Sequence, residues 1–144
     1  MKNYMKVSFS AKVENVVFTR TVALGFLVNL DLEIGILNEI KTAISEAITN
    51  AIVHGYQNDE TKTVDLIMYY DDTKITMEVI DYGIGIENIE KAKTPLFSSK
   101  VEEERAGLGF TIMDVFSDEL IVESELGKMT KVVMVKNYHE SREH

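Results

Sequence analysis

Apolar residues recur along the chain with two spacings, and each spacing predicts one type of secondary structure. The segment "MKVSFSA" alternates apolar and polar residues, as a β-strand does, with the apolar positions at Met5, Val7 and Phe9. A helix is predicted from about Asn15 to Asn29, with Asn15 as its N-cap. A second helix is expected to end near His54 and Gly55, and its apolar face consists of Leu37, Ile40, Ile44, Ala47, Ile48 and Ala51.

The second half of the chain predicts two β-hairpins separated by a helix. The runs "KTVDLIMYY" and "KITMEVID" flank the turn "DDT", and "LIVES" and "TKVVMV" flank "ELGKM". The segment "GLGFTIMDVFSDE" is predicted to be helical after its glycines. This mixture indicates the α+β class, and we expect a two-layer α/β sandwich whose mixed sheet is covered on one face by helices. Residues 1–144 are predicted to form a single domain, with a frayed polar tail at 137–144.

The second helix carries a carboxylate, an amide and an imidazole at intervals of four residues, at Glu46, Asn50 and His54. Side chains four apart on an α-helix lie one turn above another and form a ridge that can face a single ligand. The polar face of an amphipathic helix is more often merely solvated, so this ridge alone does not establish a site.

A carboxylate followed by two glycines ends the second predicted strand of the first hairpin, in the segment "DYGIGI". Gly83 and Gly85 let the backbone approach a flat ligand closely. An ionised Asp81 only accepts hydrogen bonds, so it can pair with the exocyclic amine of adenine but offers no donor to the carbonyl of guanine. A simple turn after the hairpin explains the segment about as well.

A second glycine pair, Gly107 and Gly109 in "GLGF", is expected at the entrance to a helix. Unpaired N–H groups and the positive end of the helix dipole make such a position suitable for phosphate. The charged stretch before it resembles a lid, and Arg105 lies two residues ahead of Gly107, where it could reach a phosphate chain. A solvated surface loop accounts for most of the other charges in that stretch.

Composition excludes several classes of protein. The chain has 144 residues, no cysteine and a formal net charge of −9, which disfavours a disulfide framework and a direct nucleic-acid partner. No export signal is predicted, because the start "MKNYMKVSFS" has no apolar core. No membrane span is predicted, because the most apolar run is interrupted by polar residues and is shorter than the roughly 20 residues that a span needs. These features fit a cytoplasmic protein.

The order of these motifs, E-x-x-x-N on a helix, D-x-G-x-G after a strand, a charged lid and then G-x-G, resembles the Bergerat-type ATP-binding fold. Type II topoisomerases, heat-shock chaperones, histidine kinases and mismatch-repair ATPases share that fold. Within this group the segments "SEAITNAIVHGY", "DYGIGI", "PLFSSK" and "ERAGLGFTIM" resemble the small serine-kinase anti-sigma factors.

The resemblance implies ATP and Mg²⁺ as cofactors, Asn50 as the Mg²⁺ ligand, and Glu46 and Arg105 as catalytic residues, with Glu46 as the general base. It also implies further nucleotide contacts at His54, Asp81, Gly83, Gly85, Ser98, Ser99, Lys100, Gly107, Leu108, Gly109 and Thr130. In one departure from the family pattern, Met129 stands where relatives commonly have the second glycine of G-x-G-[ST].

By the same resemblance the chain is expected to be a homodimer, to bind a sigma factor, and to phosphorylate a serine of a STAS-type anti-anti-sigma protein. Arg20 interrupts an otherwise apolar helix and is assigned to the partner surface, although a solvated arginine is the simpler interpretation.

The residues alone do not choose the nucleophile, which leaves three alternatives to a serine kinase open. Water as the nucleophile would make the chain an ATPase. A detached histidine-kinase catalytic domain is a second alternative, although no helical histidine segment precedes the motifs and His54 lies inside one of them. An ATP-gated binding module without kinase activity is the third.

Overall fold

The structure, a computed structural model, describes residues 1–93 and 101–139, without the side chains of residues 101–104. The strands are β1 Asn3–Ser10, β2 Thr63–Tyr70, β3 Lys74–Asp81, β4 Glu119–Glu125 and β5 Met129–Asn137. The helices are α1 Glu14–Leu27, α2 Ile34–Asn50, α3 Ile89–Ala92 and α4 Val101–Val115. A 3₁₀ turn, Val28–Leu30, follows α1, and a π-helical turn, Ala51–Gly55, follows α2.

The five strands form one sheet in the order β1-β2-β3-β5-β4, and all four pairings are antiparallel. The predicted α+β sandwich is therefore confirmed, but the expectation of a mixed sheet is wrong. The β4–β5 hairpin places β5 beside β3 and leaves β4 at the edge, which makes the β3–β5 pair antiparallel as well. Both predicted hairpins are present.

Alternation along the strands assigns each side chain to one of two faces. The face toward α1 and α2 carries the buried Val64, Leu66, Met68, Met77 and Met134, which pack against Ile44 and Ile48 of α2. The opposite face carries polar pairs, such as Lys131 and Glu78, whose charged atoms are 3.2 Å apart. Helices therefore cover one face of the sheet, and the row of residues that faces them includes the end of β3.

Two local predictions are wrong. Asn15 is not the N-cap of α1, because the helix begins at Glu14 and the Asn15 side chain donates to the Ser10 carbonyl oxygen at 2.8 Å. The chain is not frayed from residue 137, because Asn137 belongs to β5 and Tyr138 is only 3% exposed. The Tyr138 hydroxyl donates to the Asp71 carbonyl oxygen at 2.5 Å, which fastens this end of the chain to the β2–β3 turn. Residues 140–144 lie outside the described residues.

None of the helices in the described ranges is both long and apolar enough to cross a membrane.

Candidate functional site

Glu46 and Asn50 of α2 face the same point on α4, at Gly109. A β-carbon at Gly109 would lie 3.2 Å from Glu46 Oε2 and 3.2 Å from each of the two terminal atoms of the Asn50 amide. Gly109 is buried, while Glu46 and Asn50 are half-buried. Glu46 and Asn50 thus lie on the same side of α2, as their four-residue spacing predicts. The absence of a side chain at Gly109 leaves space for both of them.

The Asn50 side chain fits a phosphate-bound metal ion. Its amide nitrogen is buried and has no hydrogen-bond partner among the described residues, which is a cost that native proteins usually avoid. Those residues contain no cluster of three or more His, Cys, Asp or Glu that could hold a metal ion alone. Mg²⁺ usually takes only one or two protein ligands and completes its shell with phosphate oxygens and water. The Asn50 oxygen would serve as one such ligand, and the amide nitrogen would donate to a phosphate oxygen.

The helix changes its winding after Asn50, in the turn that carries His54. The Tyr56 N–H donates to the Ala51 carbonyl oxygen at 2.9 Å, a bond across five residues that underwinds the last turn. The half-buried His54 lies in this π turn. Such π turns inside helices are frequent at functional sites.

The π turn ends at Gly55, whose backbone lies directly against the loop after β3. The Ile84 N–H donates to the Gly55 carbonyl oxygen at 3.0 Å. A β-carbon at Gly83 would overlap that same oxygen, and one at Gly55 would overlap the Asp81 carboxyl group. Glycine is required at Gly83 by the close approach of the Gly55 backbone, and at Gly55 by the close approach of the Asp81 carboxyl group.

Asp81 sits in this contact at the end of β3 and is 4% exposed. Its Oδ1 accepts a hydrogen bond from the Gly83 N–H at 3.0 Å. Burial raises the pKa of the carboxyl group to about 6, and the Gly83 bond opposes that rise. At neutral pH the group is a desolvated carboxylate with acceptor capacity beyond the Gly83 bond, which is the chemistry that an exocyclic amine would satisfy.

Gly85 connects the same loop to the β4–β5 turn. Its φ is +73°, and a β-carbon there would overlap the Glu125 carbonyl oxygen. The Gly127 N–H donates to the Ile84 carbonyl oxygen at 2.7 Å. Thr130 is 7% exposed and pairs with Asp81 across the sheet, so the two predicted base contacts lie side by side.

Sequence reasoning missed Tyr56, which joins the π turn to the Asp81 loop. Its hydroxyl donates to the Thr63 carbonyl oxygen at 2.5 Å and accepts from the Tyr82 N–H at 2.7 Å. Burial raises the pKa of Tyr56, so the hydroxyl stays neutral and can donate. The Tyr82 hydroxyl in turn donates to Asp65 at 2.9 Å. The available signal was Tyr56 itself, an aromatic residue with a hydroxyl directly after the predicted helix end at Gly55.

Gly107 and Gly109 do not lie at a helix entrance, which corrects the sequence prediction. Both are inside α4, Val101–Val115, and the Thr111 hydroxyl donates to the Gly107 carbonyl oxygen at 3.0 Å. N–H groups inside a helix already bond to preceding carbonyls, so the two glycines here do not supply free donors. Gly109 instead permits close packing against Glu46 and Asn50. Arg105 and Leu108, also on α4, are exposed. Ser98, Ser99 and Lys100 lie outside the described residues.

Arg20 is exposed on α1 and contacts the helix that carries the ridge. Its Nε donates to the Ser45 hydroxyl at 2.6 Å, and Ser45 donates to the Lys41 carbonyl oxygen at 2.7 Å. Ser45 directly precedes Glu46 in α2. Arg20 therefore lies close to the ridge but outside the Asp81 contact.

A family model described as a histidine kinase-like ATPase domain matches residues 9–136. The fold and the site therefore belong to this class of protein. Curated relatives agree over nearly their full length. The chain is 47% identical to the anti-sigma F factor of Geobacillus stearothermophilus, over 99% of this chain and 97% of that protein. It is 51% identical to the anti-sigma F factor of Thermoanaerobacter sp. (strain X514), over 93% of each chain. The chain therefore belongs to the anti-sigma F factor family of histidine kinase-like ATPase domains.

A solved structure supports the fold. The RsbU and RsbW domains of a Mycobacterium tuberculosis protein match with a TM-score of 0.68 at 15% identity. The match covers 95% of this chain and 33% of that one. At this identity the likeness concerns the fold alone.

Asp81→Asn is expected to stabilise the nucleotide-free chain. The parent carboxyl binds a proton more tightly when folded, so its contribution to stability falls as pH rises from about 4 through 6. Asparagine keeps an oxygen for the Gly83 N–H but carries no charge. At pH 7.5 we expect a melting midpoint about 3 °C higher, roughly 1 kcal/mol for a chain of this size, measured by differential scanning fluorimetry.

The matched control is Asp71→Asn. The Asp71 carboxylate accepts hydrogen bonds from the N–H groups of Thr73 and Lys74, which hold its pKa below the usual value, so asparagine there should not raise the midpoint. The gain from Asp81→Asn should shrink toward pH 4. A lower midpoint for Asp81→Asn at pH 7.5 would show that the ionised carboxylate stabilises the fold.

Proposed function

We propose that the chain is an anti-sigma factor that binds and inhibits a sigma factor, and that it is also an ATP-dependent serine kinase acting on a STAS-type anti-anti-sigma protein. The observation that carries this proposal is the convergence of Glu46 and Asn50 on Gly109. A carboxylate and an incompletely bonded amide share one space there, on the same helix whose π turn contacts Asp81.

In this proposal the two ends of ATP occupy two parts of the site. Adenine lies at Asp81 and Thr130, beside the glycine loop that follows β3. That loop has the close backbone approach that a planar base requires. The phosphates lie toward Asn50, which would hold Mg²⁺ together with phosphate oxygens, and Mg²⁺ would neutralise developing charge on the phosphoryl group. His54, Gly83, Gly85, Gly107, Leu108 and Gly109 are proposed to line this space, with Ser98, Ser99 and Lys100 as further contacts.

Glu46 is proposed as the general base of phosphotransfer. The partner serine loses its hydroxyl proton to the Glu46 carboxylate as the serine oxygen bonds to the γ-phosphorus, and the bond from that phosphorus to the β,γ-bridging oxygen breaks to release ADP. The half-buried position of Glu46 beside Asn50 would place the carboxylate near that phosphoryl group. Arg105 is proposed to meet the γ-phosphate charge from α4.

A partner serine is preferred over water as the nucleophile because of the family relationship. The curated relatives carry the name anti-sigma F factor, which describes a protein that acts on another protein. An ATPase or an ATP-gated binding module of the same fold is the alternative. Labelled ATP distinguishes them, because only a kinase transfers label to the serine of the partner.

We propose that the chain itself does not bind nucleic acid directly, since its formal net charge of −9 repels a phosphate backbone. Arg20 is proposed as a contact for both the sigma factor and the anti-anti-sigma protein. A homodimer is proposed through apolar surface such as that on α1, where Val17 is 59% exposed and Phe18 is 48% exposed. We propose that the chain acts in the cytoplasm, where a sigma factor would be present.

ATP affinity is expected to depend on the ionisation of Asp81. Only the carboxylate accepts a charge-assisted bond from the adenine amine, and its pKa is about 6 in the free protein. The dissociation constant for Mg·ATP should be steady from pH 8 to 7 and about tenfold higher at pH 5. Isothermal titration calorimetry measures this. Asp81→Asn controls for protonation of ATP itself. This variant should bind ATP more weakly than the parent, and its dissociation constant should lack the roughly tenfold rise between pH 7 and pH 5 that is due to Asp81.

Glu46→Gln should leave Mg·ATP binding close to the parental value and lower phosphotransfer to the partner serine by roughly 10²–10⁴-fold, the range for a positioned base. Asn50→Ala should instead weaken Mg²⁺-dependent ATP binding. Glu123→Gln, at an exposed position of β4, is the matched control and should change neither quantity. Single-turnover transfer of labelled phosphate gives the rates. Parental transfer by Glu46→Gln would remove Glu46 as the base.

Arg20→Ala should weaken binding to the sigma factor and to the anti-anti-sigma protein by about 1–2 kcal/mol each, the loss typical of an interface arginine. ATP affinity should not change, because Arg20 contacts Ser45 rather than the Asp81 loop. Surface plasmon resonance measures partner binding, with Lys12→Ala as an exposed cation control. Undiminished binding to both partners would place their surface elsewhere.

A further inference from the structure

Ser124, a half-buried residue near the end of β4, makes three hydrogen bonds around the proposed base site. Its hydroxyl oxygen lies 2.8 Å from the Ile86 amide nitrogen, 2.8 Å from the Met129 carbonyl oxygen and 2.9 Å from the Thr130 hydroxyl oxygen. It therefore connects the glycine loop after β3, the start of β5 and the threonine that pairs with Asp81.

A count of hydrogens fixes the direction of these bonds. A serine hydroxyl has one hydrogen to donate and two lone pairs to accept with. The Met129 carbonyl can only accept, so the Ser124 hydrogen goes to it, and the Ile86 N–H can only donate. One lone pair of Ser124 remains for Thr130. The Thr130 hydroxyl must therefore donate its only hydrogen to Ser124.

This direction leaves Thr130 with lone pairs alone for any further contact. Asp81, Thr130 and Ser124 form a row across β3, β5 and β4, since Asp81 pairs with Thr130 and Thr130 pairs with Ser124. Side chains paired in this way on neighbouring strands lie about 4.5–5.5 Å apart at their β-carbons. Two adjacent groups, the Asp81 carboxylate and the Thr130 hydroxyl, then offer acceptors on the same face.

We propose that Ser124 is a positioning residue that sets base selectivity by holding Thr130 as an acceptor. Adenine carries an exocyclic amine with two hydrogens, which suits a pair of acceptors, whereas guanine presents a carbonyl oxygen at the same place. Without Ser124 the Thr130 hydroxyl could rotate and donate to that carbonyl. This inference rests on the proposed binding of ATP and concerns the selectivity of that site.

Ser124→Ala tests the inference through the ratio of affinities for three nucleotides. The dissociation constant for Mg·ATP should rise about three- to tenfold, the range for one lost neutral hydrogen bond. The constant for Mg·GTP should stay unchanged or fall. Purine riboside triphosphate, which lacks both the amine and the carbonyl, should bind as it does to the parent. Competition against a fluorescent ATP analogue gives all three constants.

Ser124→Thr keeps the hydroxyl and should restore the parental ratio of ATP to GTP affinity. Ser117→Ala is the matched control, because the buried Ser117 hydroxyl makes no hydrogen bond among the described residues and its loss should leave the ratio unchanged. Ser124→Cys keeps the shape of serine with weaker hydrogen bonding, and it should reduce the ratio even if Ser124→Ala fails to fold.

Two results would overturn the inference and are distinguishable from failure of the proposed function. A uniform weakening of all three nucleotides by Ser124→Ala would show a structural role only, and an unchanged ratio in both Ser124→Ala and Ser124→Cys would remove Ser124 from base selection. In either case the parent still binds ATP. Absence of ATP binding by the parent chain would instead overturn the proposed function, and this inference with it.

Discussion

The backbone contact between Gly55 and the loop after β3 is the constraint on which the rest of the site depends. A β-carbon at Gly55 or at Gly83 would overlap atoms of the opposite segment, and the Ile84 N–H closes the contact by bonding to the Gly55 carbonyl oxygen. Because this contact is tight, it removes water from Asp81 and raises the pKa of that carboxyl. The free protein thus keeps a charged group partly desolvated, a cost that a ligand with a matching donor would offset.

The π turn connects this contact to the other end of the site. The bond from Tyr56 N–H to the Ala51 carbonyl underwinds the helix just after Asn50. Gly55 therefore contacts the Asp81 loop, while Glu46 and Asn50 face Gly109. Tyr56 then holds the Tyr82 N–H through its hydroxyl. The helix and its π turn are continuous, and together they set the spacing between the Asp81 carboxylate and the Asn50 side-chain amide. The proposed kinase would use both groups.

Sequence periodicity predicted the elements that depend on local pattern and missed the features that depend on distant contacts. The pairing of Glu46 with Asn50 and the position of Asp81 at a strand end follow from helix and strand periods. The sequence predicts a helix that begins after the glycines of α4, but the helix-forming residues of "VEEER" and packing against α2 extend the helix over them. The role of Ser124 does not follow from local pattern, since its partner Ile86 is 38 residues away.

A nuclear magnetic resonance titration of the ¹⁵N-labelled chain tests the central claim most directly, that one nucleotide spans the Asp81 loop and Asn50. With Mg·ATP we expect the largest shifts at the backbone N–H groups of Gly83 and Gly85 and at the Asn50 side-chain amide, and far smaller ones with Mg·GTP. Shifts that are equal for the two nucleotides, or that concentrate around Ile121 on the opposite face of the sheet, would contradict it.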